Sequence, residues 1–175
     1  MFKLLFLLLS SLKFGKLLTS GGTMLLSMLM YSFVFGWKYA VGFVLLLFVH
    51  ELGHYIAARQ QGLDVGLPTF IPFVGAWVSL KQLPMNAEQQ AYIGIAGPVT
   101  GSIAALVCYF MGESQNSGLL LALSYSGFML NLFNLLPLAA LDGGHITAVI
   151  SPKIWWFGMP LCIALFMQTK SPIFL

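Results

Sequence analysis

The 175 residues are 59% hydrophobic and only 7% charged, with a net charge of +3 carried by singly scattered basic residues. A soluble domain is about 25% charged and 45–50% apolar, so this composition excludes a water-soluble globule, and so much apolar content also excludes intrinsic disorder. No basic stripe offers itself to a nucleic-acid partner; a polytopic membrane protein remains.

The length fits one membrane-embedded domain over 1–175, with a core at roughly 37–150. Residues 1–18, MFKLLFLLLSSLKFGKLL, set Lys3, Lys13 and Lys16 among apolar residues. A basic start before a short apolar stretch fits a signal peptide, but no small-residue cleavage site follows. The segment reads as a membrane-surface helix, basic on one side. Crossing a bilayer takes ~20 mostly apolar residues; such segments follow at 19–36, 39–58, 91–112 and 118–141, with a shorter one at 154–169 after Pro152. The expected fold class is therefore membrane all-α, a polytopic helical bundle of about five spans.

Between the second and third spans, residues 62–84 hold Pro68, Pro72, Pro84 and three glycines, which break helices. Phe70, Ile71, Phe73, Val74, Trp77, Val78 and Leu80 nevertheless make this loop apolar. It reads as a membrane-facing strand hairpin turning at Gly75, covered by the spans or dipping into the membrane face. With five spans, Lys3, Lys13, Lys16, Arg59, Lys81 and Lys153 fall on one side and Lys38 and Lys170 on the other. The positive-inside rule then places the N-terminus and the 59–90 loop in the cytoplasm. Cys108 and Cys162 lie in apolar runs and read as small buried hydrophobes. The chain stops at the apolar Leu175 just after Lys170, the pattern of a longer chain cut at this point.

The second span, YAVGFVLLLFVHELGHYIAA, is interrupted by His50, Glu51 and His54. A charged group at the centre of a spanning helix costs roughly 2.5–3.5 kcal/mol on insertion scales, which marks such residues as functional candidates. Four residues apart, His50 and His54 stand one turn above each other on one helix face. Two imidazoles so placed can bind one Zn2+ at ~2.0–2.1 Å. Glu51 sits beside the metal without being a ligand, the arrangement that H-E-x-x-H makes on a helix.

A catalytic zinc takes three protein ligands and leaves one position open. Candidates for the third are Asp64 and Glu88 in the loop, Glu113 after the third span, and Asp142 and His145 in NLFNLLPLAALDGGHI. Asp142 stands out at the edge of an apolar run. Pro137 breaks the helix before it, and Gly143 and Gly144 permit a sharp bend after it. His145 is a rival ligand or a partner to one. Counted back from Arg59, His54 and His50 lie about 7–14 Å inside at 1.5 Å per residue, and Asp142 lies toward the same end of its span. Asn131, in the fourth span, reads as an interhelical hydrogen-bonding residue. Gly97 and Pro98 read as a close-packing kink, and Trp77, Trp155, Trp156 and Tyr92 as an interfacial belt.

These features resemble the site-2 protease family of intramembrane zinc metalloproteases. His50-Glu51-Leu52-Gly53-His54 matches its zinc motif, and Asn134-x-x-Pro137-x-x-x-x-Asp142-Gly143 its second motif, with a loop and one span between them. Ala96-Gly97-Pro98 resembles a weaker feature of that intervening span, with Gly101 where many members carry Asn, and FIPFVGA resembles smaller bacterial-type members. The resemblance covers roughly residues 15–150. It implies one zinc per chain held by His50, His54 and Asp142, with Glu51 as general base. It also implies that Asn134 positions the substrate or stabilises the developing oxyanion. The implied activity is an intramembrane zinc metalloendopeptidase, multi-pass in the cell membrane with a cytoplasmic entrance to its site. Its substrate would be a single-span membrane protein cut in or near the transmembrane segment. A strand edge at 69–80 would pair with the unwound substrate by β-augmentation. Two other classes are a catalytically silent relative that binds membrane proteins, and a metal or ion transporter. The intact Glu51 argues against the first, and ionisable groups gathered at one depth argue against the second.

Overall fold

The computed structural model describes residues 2–73, 75–78 and 86–154 together with Trp156, Pro160 and Met167; side chains are described from Thr19 on, those of Trp77 and Pro152 excepted. In chain order the elements are α1 (Phe2–Phe35), α2 (Trp37–Gln60), β1 (Thr69–Ile71), β2 (Gly75–Trp77), α3 (Ala87–Gln115), α4 (Gly118–Asn134) and α5 (Asp142–Thr147), followed by a 3-10 turn at Pro152–Ile154.

The surface helix and first span expected at 1–18 and 19–36 are one continuous helix, α1. A glycine inside a helix costs only about 1 kcal/mol, so Gly21 and Gly22 do not interrupt it. The break comes at Gly36, whose φ of 82° turns the chain into α2. Among the described residues, α2 and α3 are the two helices long and apolar enough to cross a membrane. At 1.5 Å per residue they run roughly 36 and 43 Å, against ~30 Å of hydrocarbon. The segment Thr19–Phe35 and α4 are shorter apolar helices. The span expected at 118–141 ends at Asn134. Pro137 lacks an N–H, and its ring would collide with the carbonyl four residues back. Leu135–Leu141 therefore run through turns closed by Leu138 N–H to Leu136 O (2.8 Å) and Leu141 N–H to Leu138 O (2.9 Å). The segment expected at 154–169 lies almost wholly outside the described residues.

Side-chain caps start α3 and α4: Asn86 Oδ1 accepts the Gln89 N–H at 2.8 Å, and Ser117 Oγ accepts the Leu120 N–H at 3.4 Å. Helix α3 packs between α2 and α4, while α1 packs on α2. Small residues bring the backbones close: a side-chain carbon at Gly53 would meet Ala96 and Thr100 of α3, and one at Gly127 would meet Ala105. Two apolar clusters flank the middle of α2. One joins Tyr31, Ala40, Val44, Leu47 and Phe70, the other Ala57, Ala58, Leu63, Val65 and Ile93. Large apolar side chains remain exposed along one face of α3 (Ile95, Val99, Ile103, Leu106, Phe110) and of α1 (Leu25, Leu29, Phe33).

The two strands form an antiparallel hairpin with Phe70 opposite Ala76 and Ile71 opposite Gly75. The chain reverses before Gly75, which starts β2 at a φ of 131° rather than forming the turn itself. Helix α1 holds this hairpin from outside. Ser20 Oγ donates to the Pro68 carbonyl, the Phe70 N–H donates to Thr23 Oγ1 at 3.3 Å, and the Phe73 N–H donates to the Tyr31 hydroxyl at 3.1 Å. Opposed residues in an antiparallel ladder alternate between hydrogen-bonded and non-hydrogen-bonded pairs. Since Phe70 spends its N–H on α1, Phe70 and Ala76 are a non-hydrogen-bonded pair. The N–H and C=O of Ala76 therefore point out along the other edge of the hairpin.

Candidate metal centre

One helix face supplies half of the centre. His50 and His54 lie one turn apart on α2, their ring centroids 4.8 Å apart and their planes nearly perpendicular at 77°. Asp142 comes from the other side of the chain. It is the first residue of the short helix α5, not the end of a spanning helix as the sequence suggested. The bend depends on its glycines. A side-chain carbon on Gly143 would collide with the carbonyls of Leu135 and Leu136, and one on Gly144 with that of Leu138. Without side chains there, α5 tucks against the end of α4 and aims the carboxylate at α2.

Asp142 Oδ2 lies 3.2 Å from His50 Nε2 and Oδ1 lies 3.2 Å from His54 Nε2. The two Nε2 atoms are 3.1 Å apart. His50 is 3% exposed and the centre is largely closed to solvent. Among the described residues, His50, His54 and Asp142 form the one cluster of metal-ligand side chains.

The ring tautomers follow from what the other nitrogens touch. His54 Nδ1 lies 2.8 Å from the Ile93 carbonyl, and His50 Nδ1 lies 2.8 Å from Asn131 Oδ1. The Asn131 amide is oriented by its nitrogen, which donates to the Gly127 carbonyl at 2.7 Å. Both Nδ1 atoms therefore carry a proton and donate, which leaves Nε2 of each ring as the nitrogen able to offer a lone pair to an ion. Burial would raise the Asp142 carboxyl pKa, but hydrogen bonds and charge from the two imidazoles bring it down to about 2, the work of protons at Nε2 that a bound ion would replace. Two lone pairs and a carboxylate thus converge, and Asp142 Oδ2 is buried without a hydrogen-bond partner. Such a cluster requires positive charge at its centre, from a metal ion or from a proton on an imidazole. The donor set of two imidazoles and a carboxylate suits zinc, and separations of 3.1–3.2 Å are close to the edge of about 3.3 Å in a tetrahedron with ~2.0–2.1 Å bonds. The three residues fit the ion.

Glu51 is 5% exposed and lines, with His50, His54 and Asp142, a cavity of about 460 Å³. Asn134, the last residue of α4, lines the same cavity, as do Ala76 and Val78 of the hairpin. Of the other ligand candidates, Glu88 and Glu113 are exposed. Asp64 lies 4.0 Å from Arg59. His145 stays out of the ligand cluster: its Nδ1 accepts from the Gln90 side-chain amide at 2.6 Å. Gly97 is where α3 passes the His54 ring, and a side-chain carbon there would overlap the imidazole.

Three participants escape a reading of the sequence. Gln90 follows no motif. The Ile93 carbonyl is backbone and has no sequence signature. Asn131 carried one signal, a polar amide inside an apolar span, but that pointed to helix association and not to His50.

Residues 38–119 match the model of Peptidase family M50, which takes in α2, the hairpin and α3 but stops before Asn134 and Asp142. A zinc metalloprotease of Methanocaldococcus jannaschii is 34% identical over 123 residues, covering 66% of this chain and 35% of that protein. An Arabidopsis thaliana protein named "Probable zinc metalloprotease EGY2, chloroplastic" is 33% identical over 73 residues, 39% of this chain and 13% of that protein. The chain thus spans about a third or less of the length of these relatives. The solved structure of a site-2 protease from Methanocaldococcus jannaschii superposes with a TM-score of 0.60 at 24% identity, over 86% of this chain and 79% of that one. The two share a fold.

Proposed function

Because residues 38–119 match the model of Peptidase family M50, we propose that this chain is an intramembrane zinc metalloendopeptidase of the site-2 protease type. One zinc ion per chain would be held by His50, His54 and Asp142. The observation that carries this reading is the arrival of the Asp142 carboxylate from α5 within 3.2 Å of both imidazoles of α2.

When bound, zinc supplies a Lewis acid for the scissile carbonyl and lowers the pKa of the attacking water toward ~7. Glu51, one residue round the helix from His50, takes the proton of that water and returns it to the leaving amine nitrogen. The Asn134 amide, at the end of α4, donates a hydrogen bond to the carbonyl oxygen as it gains negative charge. This chemistry requires the cavity to admit both water and an extended peptide segment.

The substrate is a single-span membrane protein. Helices α2 and α3 cross the bilayer, and the exposed apolar faces of α1 and α3 meet lipid. Helices α1 and α4 complete a multi-pass bundle in the cell membrane. The distribution of Lys and Arg supports a cytoplasmic N-terminus and a cytoplasmic entrance to the site. A helical substrate must unwind before attack, and its freed amides need partners in an apolar medium. The β1 edge is taken up by Thr23, so the outward edge of β2 at Ala76, which lines the cavity, receives the substrate by β-augmentation.

The test is metal analysis together with cleavage of a model single-span substrate by the wild type and by Glu51→Gln. We expect about one zinc per chain in both, chelator-sensitive cutting by the wild type, and a loss of roughly 10²–10⁴-fold in the variant, the range of general-base catalysis. Cutting that survives Glu51→Gln would refute the assignment.

A further inference from the structure

Asn131 is 2% exposed in the last turn of α4, and both ends of its amide are engaged within the protein. Its nitrogen donates to the Gly127 carbonyl one turn back on α4, at 2.7 Å. A carbonyl can only accept, so this contact orients the amide and leaves Oδ1 as the atom presented to α2. There it accepts the Nδ1–H of His50 at 2.8 Å. The amide lies directly over Gly101 of α3. A side-chain carbon at Gly101 would stand 2.8 Å from Asn131 Nδ2 and closer still to Oδ1. Three helices thus combine: α3 leaves the space, α4 supplies and orients the amide, and α2 brings the ring. The His54 ring is held differently, by the backbone carbonyl of Ile93.

We propose that Asn131 is a positioning residue that sets the tautomer and orientation of His50, so that the Nε2 lone pair is directed at the metal position. This rests on the metal-centre reading above. The physical reason is that an imidazole with an unserved Nδ1 can rotate or shift its proton, and either change removes Nε2 as a ligand. Partners of this kind are worth 10–100-fold in metal affinity when lost. Interhelical hydrogen bonding by itself would affect stability and leave the ligand geometry alone.

The test uses the full chain in detergent, with zinc affinity from chelator competition and ligand geometry from the visible absorption of the Co2+-loaded protein. Asn131→Leu removes the acceptor at similar volume. It should weaken zinc binding 10–100-fold and shift the Co2+ bands. Asn131→Asp restores an acceptor for Nδ1–H and should recover most of the affinity and the wild-type bands. Gly101→Ala leaves Asn131 in place but pushes its amide away, and should move both readouts in the direction of Asn131→Leu. Zinc affinity within twofold of wild type and an unchanged Co2+ spectrum in Asn131→Leu would overturn the proposal, as would Asn131→Asp behaving no better than Asn131→Leu. Should Asn131→Leu fail to fold, wild-type affinity and bands in Gly101→Ala would overturn it. A wild type that binds no zinc would remove the metal-centre reading and this one with it, whereas a zinc-loaded wild type with an indifferent Asn131→Leu removes this one alone.

Discussion

Adding a single methyl group at Gly97 probes how closely α3 must approach the metal-binding face of α2. Built on the backbone, that carbon stands 2.7 Å from Cδ2 of His54 and nearer still to Nε2. Carbon atoms pack at ~3.5–4.0 Å, so the ring has to retreat by roughly 1 Å. A shift of that size takes Nδ1 out of hydrogen-bonding range of the Ile93 carbonyl, now at 2.8 Å, and carries Nε2 off the point it shares with His50 and Asp142. Misplacement by about 1 Å can cost on the order of 100-fold in rate, equivalent to about 2.7 kcal/mol. Alanine meanwhile suits a helix interior better than glycine by about 1 kcal/mol, so α3 itself is not weakened. For Gly97→Ala we expect a 10–100-fold loss of zinc affinity by chelator competition, a comparable or larger loss of cleavage, and a thermal midpoint close to wild type. Full zinc affinity with normal cleavage would show that the imidazole does not rest on α3 at Gly97, and the packing argument would fail.

Asp142→Asn keeps the shape of the third ligand but not its charge, and should lose its zinc at a chelator concentration that leaves the wild type loaded; a variant with wild-type zinc retention would remove Asp142 from the ligand set. Ala76→Pro deletes an N–H that the β1–β2 ladder does not use, so the hairpin should survive while the substrate strand loses a hydrogen bond worth ~0.5–1.5 kcal/mol. Cleavage of a single-span substrate should fall roughly 2- to 10-fold with zinc content unchanged, and undiminished cleavage would mean that the substrate does not pair with this edge.

The local parts of the site were legible in the residues themselves. A spacing of four on a helix puts His50 and His54 on one face whatever surrounds them, and an ionisable trio in an apolar run is costly enough to mark itself. Pro137 and the two glycines after Asp142 announced a bend, and the Pro- and Gly-bounded apolar loop announced strands. The division of 118–141 into α4, a turn and α5 was less legible, because Leu135–Leu141 are apolar enough to continue a span and the helix ends only through the steric demands of Pro137. The union of α1 into one helix was hidden in the same way, since two adjacent glycines weaken a helix without stopping it.

What the chain's order of residues settled alone was the chemistry on offer: two imidazoles and a carboxylate at defined places, in a setting too apolar for any to be accidental. What tertiary structure decided was their partners. Whether Asn131 faces His50, whether the Ile93 carbonyl reaches His54, and which edge of the hairpin α1 covers all depend on the rotation of each helix about its axis and on its distance from its neighbours. In helices apolar on nearly every side, no hydrophobic stripe records that rotation; the close fits at Gly53, Gly97, Gly101 and Gly127 fix it, and those contacts exist only once the helices have packed.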